Sequence, residues 1–535
     1  MDQKIRKIRM RKPAAAVLCV GISFYVLCAG GCGSKYSSMD KQITRGVHTI
    51  LDNIREPHIP DRTMNLIEFS GHKPDEGGTY EFREDIQKAI DTLAGQGGGK
   101  LVFAHTEDAS LEPKPVVIYR VKGPIMLKSN IELSFEPSVK LQFEFDPSSH
   151  RPGGKGVLSR YEGTTLYTHS PLIRAFNVQN IAITAAGGKG AMPEIDGDGK
   201  RWRQWEVEGN RSRDSKGQQG KKASYMMVRA VNDTGNPIAE RRFDEEFLRP
   251  PLMEFFLCKQ VLVEGVKIVN SPFWCIHPVF SENLVFRGIT FEALVANNDG
   301  IDPESSKYVL IDEITFHNGD DNVAIKSGRN TEGREGALIA GTELENIQSP
   351  YIRNGRIGGP TEYVLVRNCR FRGHYAMCIG SEMSGGARYI YALDNVSTER
   401  VNMGFYIKGG RERGGTVSDV YIRNMKLNEI QKDAICLIPN YDGDKVSPYP
   451  SKYKNIYVEN FTARRARTGI RIYGWPDQTI DNVILRNVVI DQADQIPFGI
   501  NHVKDIILEN VKINGKSFDG EYEQSDASQE TPRAG

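Results

Sequence analysis

The chain repeats itself, and the repeat leaves few folds open. The segments VLVEGVKI from Val261, LVFRGITF from Leu284, VLIDEITF from Val309, VLVRNCRF from Val364, VYIRNMKL from Val420, IYVENFTA from Ile456, VILRNVVI from Val483 and IILENVKI from Ile506 share one pattern. Each is two short alternating apolar runs hinged at a Gly, an Asn or an acidic residue, and neighbours without an insertion lie about 23 to 36 residues apart. That period belongs to stacked solenoid repeats. Asn hinges suit the left-handed backbone of tight bends, and the two-residue turns that a hairpin array needs are scarce. The prediction is an all-β chain, a right-handed parallel β-helix that grows by about 4.8 Å per coil. A length of 535 residues is long for one compact core but ordinary for such a rod.

The flanks read differently. Residues 1–12 carry six basic side chains against Asp2, and an uncharged apolar run follows over 14–31. These are the marks of a signal peptide over 1–31. It ends Leu27-Cys28-Ala29-Gly30-Gly31-Cys32, which resembles a bacterial lipobox with Cys32 as the lipidated first residue of the mature chain. The lipid anchor would be the protein's only hold on a membrane, placing it in the cell envelope, in the periplasm or on the outer membrane; cleavage without lipidation would make it secreted. Residues 32–62 read as a tether and lead-in, 63–516 as the β-helix and 517–535 as a polar tail. Over 84–94, Ile86, Ala89, Ile90 and Leu93 fall at helical spacing before Gly95, predicting an N-terminal helix that caps the open end of the solenoid. Three long insertions, at 199–250, 329–360 and 440–454, are rich in basic or aromatic residues, including Trp202, Trp205 and Tyr441, and are read as loops rimming a cleft.

With 69 basic and 68 acidic residues, nothing electrostatic favours nucleic acid. The five cysteines beyond the signal region, Cys258, Cys275, Cys369, Cys378 and Cys436, have no metal-binding spacing and are expected as small apolar residues of the interior. No metal or cofactor is expected, and the rod is expected to be a monomer.

The chemistry concentrates between Asn297 and Gly328. Asp299 lies in Asn-Asp-Gly, and Asp320 and Asp321 follow in Gly-Asp-Asp, about one solenoid period later. Stacking would set Asp299 and Asp320 at equivalent places on successive coils. Three carboxylates so crowded cannot all ionise freely, so at least one pKa must rise, which is how a general acid is made beside a general base.

The segments Asn297-Asn298-Asp299-Gly300-Ile301-Asp302, Gly319-Asp320-Asp321, Gly373-His374 and Ile407-Lys408 resemble, in order and spacing, the motifs of the family 28 glycoside hydrolases, the polygalacturonases. From Gly97-Gly98-Gly99-Lys100 through Ser271-Pro272-Phe273-Trp274 to Ile379-Gly380-Ser381-Glu382 and Gly414-Gly415 the chain looks like their bacterial exo-acting branch. The resemblance implies a pectin-lyase-like β-helix that hydrolyses α-linked galacturonic acid with inversion, acting on an acidic plant cell-wall polysaccharide or its oligosaccharides. It implies Asp320 as general acid, Asp299 and Asp321 as the groups that activate water, His374 beside the acid, and Lys408 on the substrate carboxylate. Lys326, Glu382, Tyr406 and Tyr441 are further candidates for substrate contact. Simple stacking would put the carboxylates about one strand spacing apart, nearer the separation of retaining enzymes than the roughly 6.5–9.5 Å of inverting ones; the resemblance implies inversion.

Two positions depart from the family pattern. Tyr406 stands where an Arg usually precedes Ile-Lys, and Tyr375 where a Gly usually follows the histidine. The first removes a bidentate carboxylate clamp that Lys cannot imitate. Arg411 or Arg413 would be the substitutes from the next loop, and the two tyrosines read equally as a stacking wall or as fillers of space. Two other functions compete: a calcium-dependent β-helix lyase, since clustered aspartates also suit calcium, and a non-catalytic glycan-binding rod.

Overall fold

The computed structural model describes residues 32–106, 114–215, 223–441, 443 and 447–524; the expected signal peptide, residues 1–31, and residues 525–535 of the expected tail lie outside them. The chain is a right-handed parallel β-helix. In its longest sheet Ile131, Ile181, Val261, Leu284, Val309, Val364, Ile390, Val420, Ile456, Val483 and Ile506 stand in one file, each paired with the next. The repeated segments are therefore coils in register, and Ile390 marks a further coil between Val364 and Val420. A second sheet stacks Val117–Val121, Val139–Phe143, Glu194–Asp196, Lys267–Val269 and Thr290–Glu292. The third begins with Ile125–Leu127, Ile173–Phe176, Met253–Phe256 and Ile276–Val279. It continues through bridges at Ile301 and Glu304 into Val323–Ile325, Gly373–Ile379, Val396–Lys408 and Lys426–Ile438.

Alternation along each strand sends one set of side chains inward, where Ile, Val, Leu and Phe form one continuous core. Rings stack along the axis as the coils do, Phe291 on Phe316 and Phe316 on Phe371 at 5.1 and 5.6 Å between centroids. The hinge residues take positive φ, among them Asn424, Asn460, Asn487 and Asn510 at 52–56°. Their amides pair coil to coil, each donating to the oxygen of the one before at 2.9–3.0 Å. A short polar side chain tolerates this conformation and is satisfied by its own repeat, which explains the Asn-rich hinges.

Helices decorate the rod: α1 (Cys32–Asn53), α2 (Leu66–Ser70), α3 (Arg83–Gly95), α4 (Gly199–Ser215), α5 (Ser224–Thr234) and α6 (Asn330–Glu335). The expected cap is α3. Its Ile86, Ala89, Ile90 and Leu93 are fully buried against the first coils.

The expected tether is instead mostly helix. Met39, Ile43 and Ile50 of α1 pack on an outward-facing apolar column formed by Leu262, Val285, Leu310, Leu365, Tyr391 and Tyr421. The helix lies so close that a Cβ on Gly46 would fall 1.8 Å from the Tyr391 hydroxyl. The column is itself unusual for a solvent-facing sheet and needs a cover, so the segment is ordered by what it hides.

The insertion at 199–250 is likewise helical, not a loop rim. Trp202 is fully buried beside Phe145 and His150, and Trp205 packs on Phe247. Of the expected tail, Gly520–Gln524 adds an antiparallel strand to Val503–Ile513, covering the last coil. The five cysteines are free and buried. Among the described residues no helix is long and apolar enough to cross a membrane.

Candidate active site

The turn before Ile301 carries Asp299, and the turn before Val323 carries Asp320 and Asp321. Ile301 pairs with Val323, and the Gly300 N–H donates to the Asp321 carbonyl at 2.8 Å. Carried back two residues, this register sets Asp299 against Asp321, not against Asp320 as the spacing suggested. The turns differ by one residue, and strand alternation turns that difference into a change of direction. The Asp321 side chain is 1% exposed and that of Asp320 29%, so Asp320 is the carboxyl presented to solvent. Val323 pairs in turn with Met377, which brings His374 to Asp320. Its Nδ1 lies 3.2 Å from Asp320 and 3.5 Å from Asp321.

Two buried lysines divide the carboxylates between them. Lys408 Nζ is 2.6 Å from Asp321 Oδ2. Lys326 Nζ lies 3.6 Å from both Asp299 and Asp302 and 3.4 Å from Glu382. Glu382 is also 3.2 Å from Arg329 and 3.9 Å from Arg413, so it is an ion-pair partner of three cations. The titration behaviour follows from these contacts. Burial pushes the Asp299 carboxyl well above the usual carboxylate range, with Asp302 and Asp320 adding to the shift. Asp320 is raised by burial and by the neighbouring Asp321 charge. Burial acts on Asp321 in the same sense, but Lys408 overrides it and holds this carboxyl below its ordinary value. Adjacent carboxyls are thus driven apart.

Packing fixes these groups from behind. Trp274 lies under the Lys326 ammonium at 4.3 Å and meets His277 edge-on at 4.8 Å. His277 Nε2 is 2.9 Å from Glu304 Oε2, and Glu304 accepts from Arg160 at 2.5 Å and from the Gly328 N–H at 2.9 Å. Arg249 donates to Asn297 Oδ1 at 2.7 Å and to the Ala296 carbonyl at 2.8 Å, which ties the Asp299 turn to the helical insertion.

The other predicted residues divide. Tyr441 is 44% exposed, with its ring centroid 5.2 Å from Lys408 Nζ. Tyr375 stacks on His374 at 4.1 Å. Tyr406 is 5% exposed and sits beneath Tyr375 among Cys378, Met403 and Cys436, where it fills space and presents no wall. Arg413 is held at Glu382, and Arg411 is bound to Asp477 at 2.7 Å and lies over Trp475. Sequence reasoning missed Asp302 as a member of the group, although it sits in the same motif. It had no means of finding Arg160, Arg329 or Glu304 as supports.

Asp320, Asp321 and His374 offer ligand atoms within 4.8 Å of one another. Calcium takes six to eight oxygens, and an imidazole in the set fits it poorly.

Residues 241–495 match the profile of glycosyl hydrolases family 28. A probable polygalacturonase of Vitis vinifera is 30% identical over 272 residues, 49% of this chain; the match spans about half that relative's length, 51%. The crystal structure of a hyperthermoactive exopolygalacturonase from Thermotoga maritima is 32% identical with a TM-score of 0.74, covering 90% of this chain and all of that one. A family 28 exopolygalacturonase of Yersinia enterocolitica, 18% identical, shares the fold with a TM-score of 0.57 over 85% of this chain and 79% of that one.

Asp302 offers a test of the electrostatics. Burial raises its pKa well above the ordinary value, Lys326 opposing, and neither oxygen has a hydrogen-bond partner among the described residues. A carboxyl whose folded pKa is raised costs stability as pH climbs past its unfolded value of about 3.9. Asp302→Asn should therefore stabilise the fold by on the order of 1 kcal/mol at pH 7, with the gain vanishing near pH 4. Thermal melts across that range measure it; an equal effect at both pH values would refute the charge account.

Proposed function

Since the chain belongs to glycosyl hydrolase family 28, we propose that it hydrolyses the α-linked galacturonic acid bonds of pectin-derived oligo- or polysaccharides, with inversion at the anomeric carbon. The observation that carries the reading is the division of labour within one Asp-Asp pair. Asp320 is solvent-facing and its pKa is raised, so it keeps the proton that a leaving glycosidic oxygen needs. Asp321, one residue away and held ionised by Lys408, is ready to accept a proton from water. Asp299, in register with Asp321, orients that water. His374 stands against Asp320 and tunes it. An incoming substrate carboxylate competes with Asp321 for Lys408, and each step of that exchange makes Asp321 a stronger base at the moment substrate is bound. Lys326 keeps Asp299 and Asp302 from repelling one another and, with Glu382, belongs to the frame beneath the sugar. Tyr441 is exposed over Lys408, suited to stacking on a sugar face.

The protein's place would be the bacterial envelope, with lipid on Cys32 as its anchor. Replacing Cys32 by Ser should shift it from the membrane fraction to the soluble fraction; unchanged fractionation would rule out the anchor.

Replacing the proton donor gives the central activity test. Asp320→Asn should lower kcat on oligogalacturonides by about 10³-fold while leaving the fold intact. Proton NMR of the wild-type reaction should show the β-anomer of the new reducing end appearing first. Turnover unchanged in the variant would remove Asp320 from the acid role. Unsaturated product absorbing in the ultraviolet would make the enzyme a lyase.

A further inference from the structure

An acidic substrate must approach a site that already holds Asp299, Asp302, Asp320, Asp321 and Glu382. The cations within that group are committed. Lys326 serves Asp299, Asp302 and Glu382, Lys408 serves Asp321, and Arg329 and Arg413 serve Glu382. Beyond it, Arg411 is paired with Asp477 and Arg471 with Asp433 at 2.6 Å. Lys432 differs. It is half-buried, and among the described residues no carboxylate lies within ion-pair distance of its ammonium. Its Nζ instead meets the Tyr375 hydroxyl at 3.4 Å and lies 5.6 Å from the centre of that ring.

The position follows from the coil register. Tyr375 pairs with Met403, and the Asp433 N–H points at the Met403 sulfur on the next coil. The Lys432 backbone thus lies two coils along from Tyr375, and its side chain runs back to that ring, whose centre is also 5.1 Å from Lys408 Nζ. The two ammoniums share one ring, Lys408 on the Asp321 side of it, so Lys432 is placed to meet a sugar unit beside the one at Asp320. The Lys432 ammonium is a positive charge beside the site that no carboxylate of the described residues neutralises, and an anionic ligand would neutralise it.

We propose that Lys432, with the Tyr375 hydroxyl and ring, forms a subsite for the carboxylate of a uronate neighbouring the cleaved unit. The inference rests on the uronide reading of the site and adds to it a second point of charge recognition, contributed by a tyrosine that the family pattern does not carry. Lys432 donates to the carboxylate and Tyr375 donates its O–H to the same group or backs the sugar ring. Specificity then depends on two adjacent acids, one over Lys408 and one over Lys432. A chain esterified or neutral at the second position loses the contact.

The test uses trigalacturonate and its methyl-esterified counterpart with the full chain. On the free acid, Lys432→Gln should raise KM about tenfold with kcat nearly unchanged, and Lys432→Arg should restore most of the loss. On the esterified substrate wild type and Lys432→Gln should be alike. In the Asp320→Asn background, calorimetry should show the same tenfold loss of trigalacturonate binding, so the subsite is read even where turnover is absent. Equal KM and equal binding in wild type and Lys432→Gln on the free acid would overturn the proposal, as would an equal loss on both substrates. If the wild type neither binds nor hydrolyses trigalacturonate, the uronide reading itself falls and the subsite with it.

Discussion

Each coil must lie one strand spacing from the next so that its backbone N–H and C=O groups pair with those neighbours, and this places every side chain directly over its equivalent. Most outward columns meet the constraint by alternating sign or by amide pairing. Arg287 faces Glu264, Arg367 faces Asp312, and Arg423 and Arg486 flank Glu459. At the active-site coils the column rule is broken. Asp299 stands against Asp321, with Asp302 and Asp320 beside them, where alternation would have supplied a base. Like charges there are forced together by the same spacing that builds the rod.

The structure meets that cost with cations brought from elsewhere along the chain. Lys326 stands on the Asp320–Asp321 coil itself, one coil after Asp299 and Asp302, Lys408 arrives from a later coil of the same sheet, and Arg329 and Arg413 reach in from the loops that follow those coils. Breaking one partner of such a buried set leaves a charge uncompensated, so the set is best understood as a unit. The compensation is uneven: Lys408 sits hard on Asp321, no lysine or arginine sits so on Asp320, and the consequence is that the two neighbouring carboxyls are shifted in opposite directions, Asp320 up and Asp321 down. On the proposed reading, acid and base would arise from placement, not from different residue types.

The rod was legible in the sequence because its signal is periodic. Val261, Leu284, Val309, Val364, Val420, Ile456, Val483 and Ile506 share one file in space as they share one pattern in the chain. The aspartates and His374 were legible as a motif, but the register of Asp299 was off by one, because counting residues through a turn does not say which way a side chain points. The helix α1 was missed because its apolar residues are sparse and its stability comes from a column it covers. Arg160, Glu304 and Arg329 reach the site from separate segments, and contacts of that kind leave no local trace. Tyr406 could not be told from a cleft wall until Cys378, Cys436 and Tyr375 were seen to enclose it. Trp202 and Trp205, expected at the rim, are consumed by the packing of α4.

The central claim is that crowding on the Asp321 side keeps a proton on Asp320. Carboxyl-labelled aspartate followed by carbon NMR across pH, in the wild type and in Asp321→Asn, measures this directly. The account predicts that Asp320 titrates above the ordinary value of about 3.9 in the wild type and moves down toward it once Asp321 is neutral. An Asp320 that titrates at the ordinary value in the wild type, or that does not move in the variant, would contradict it.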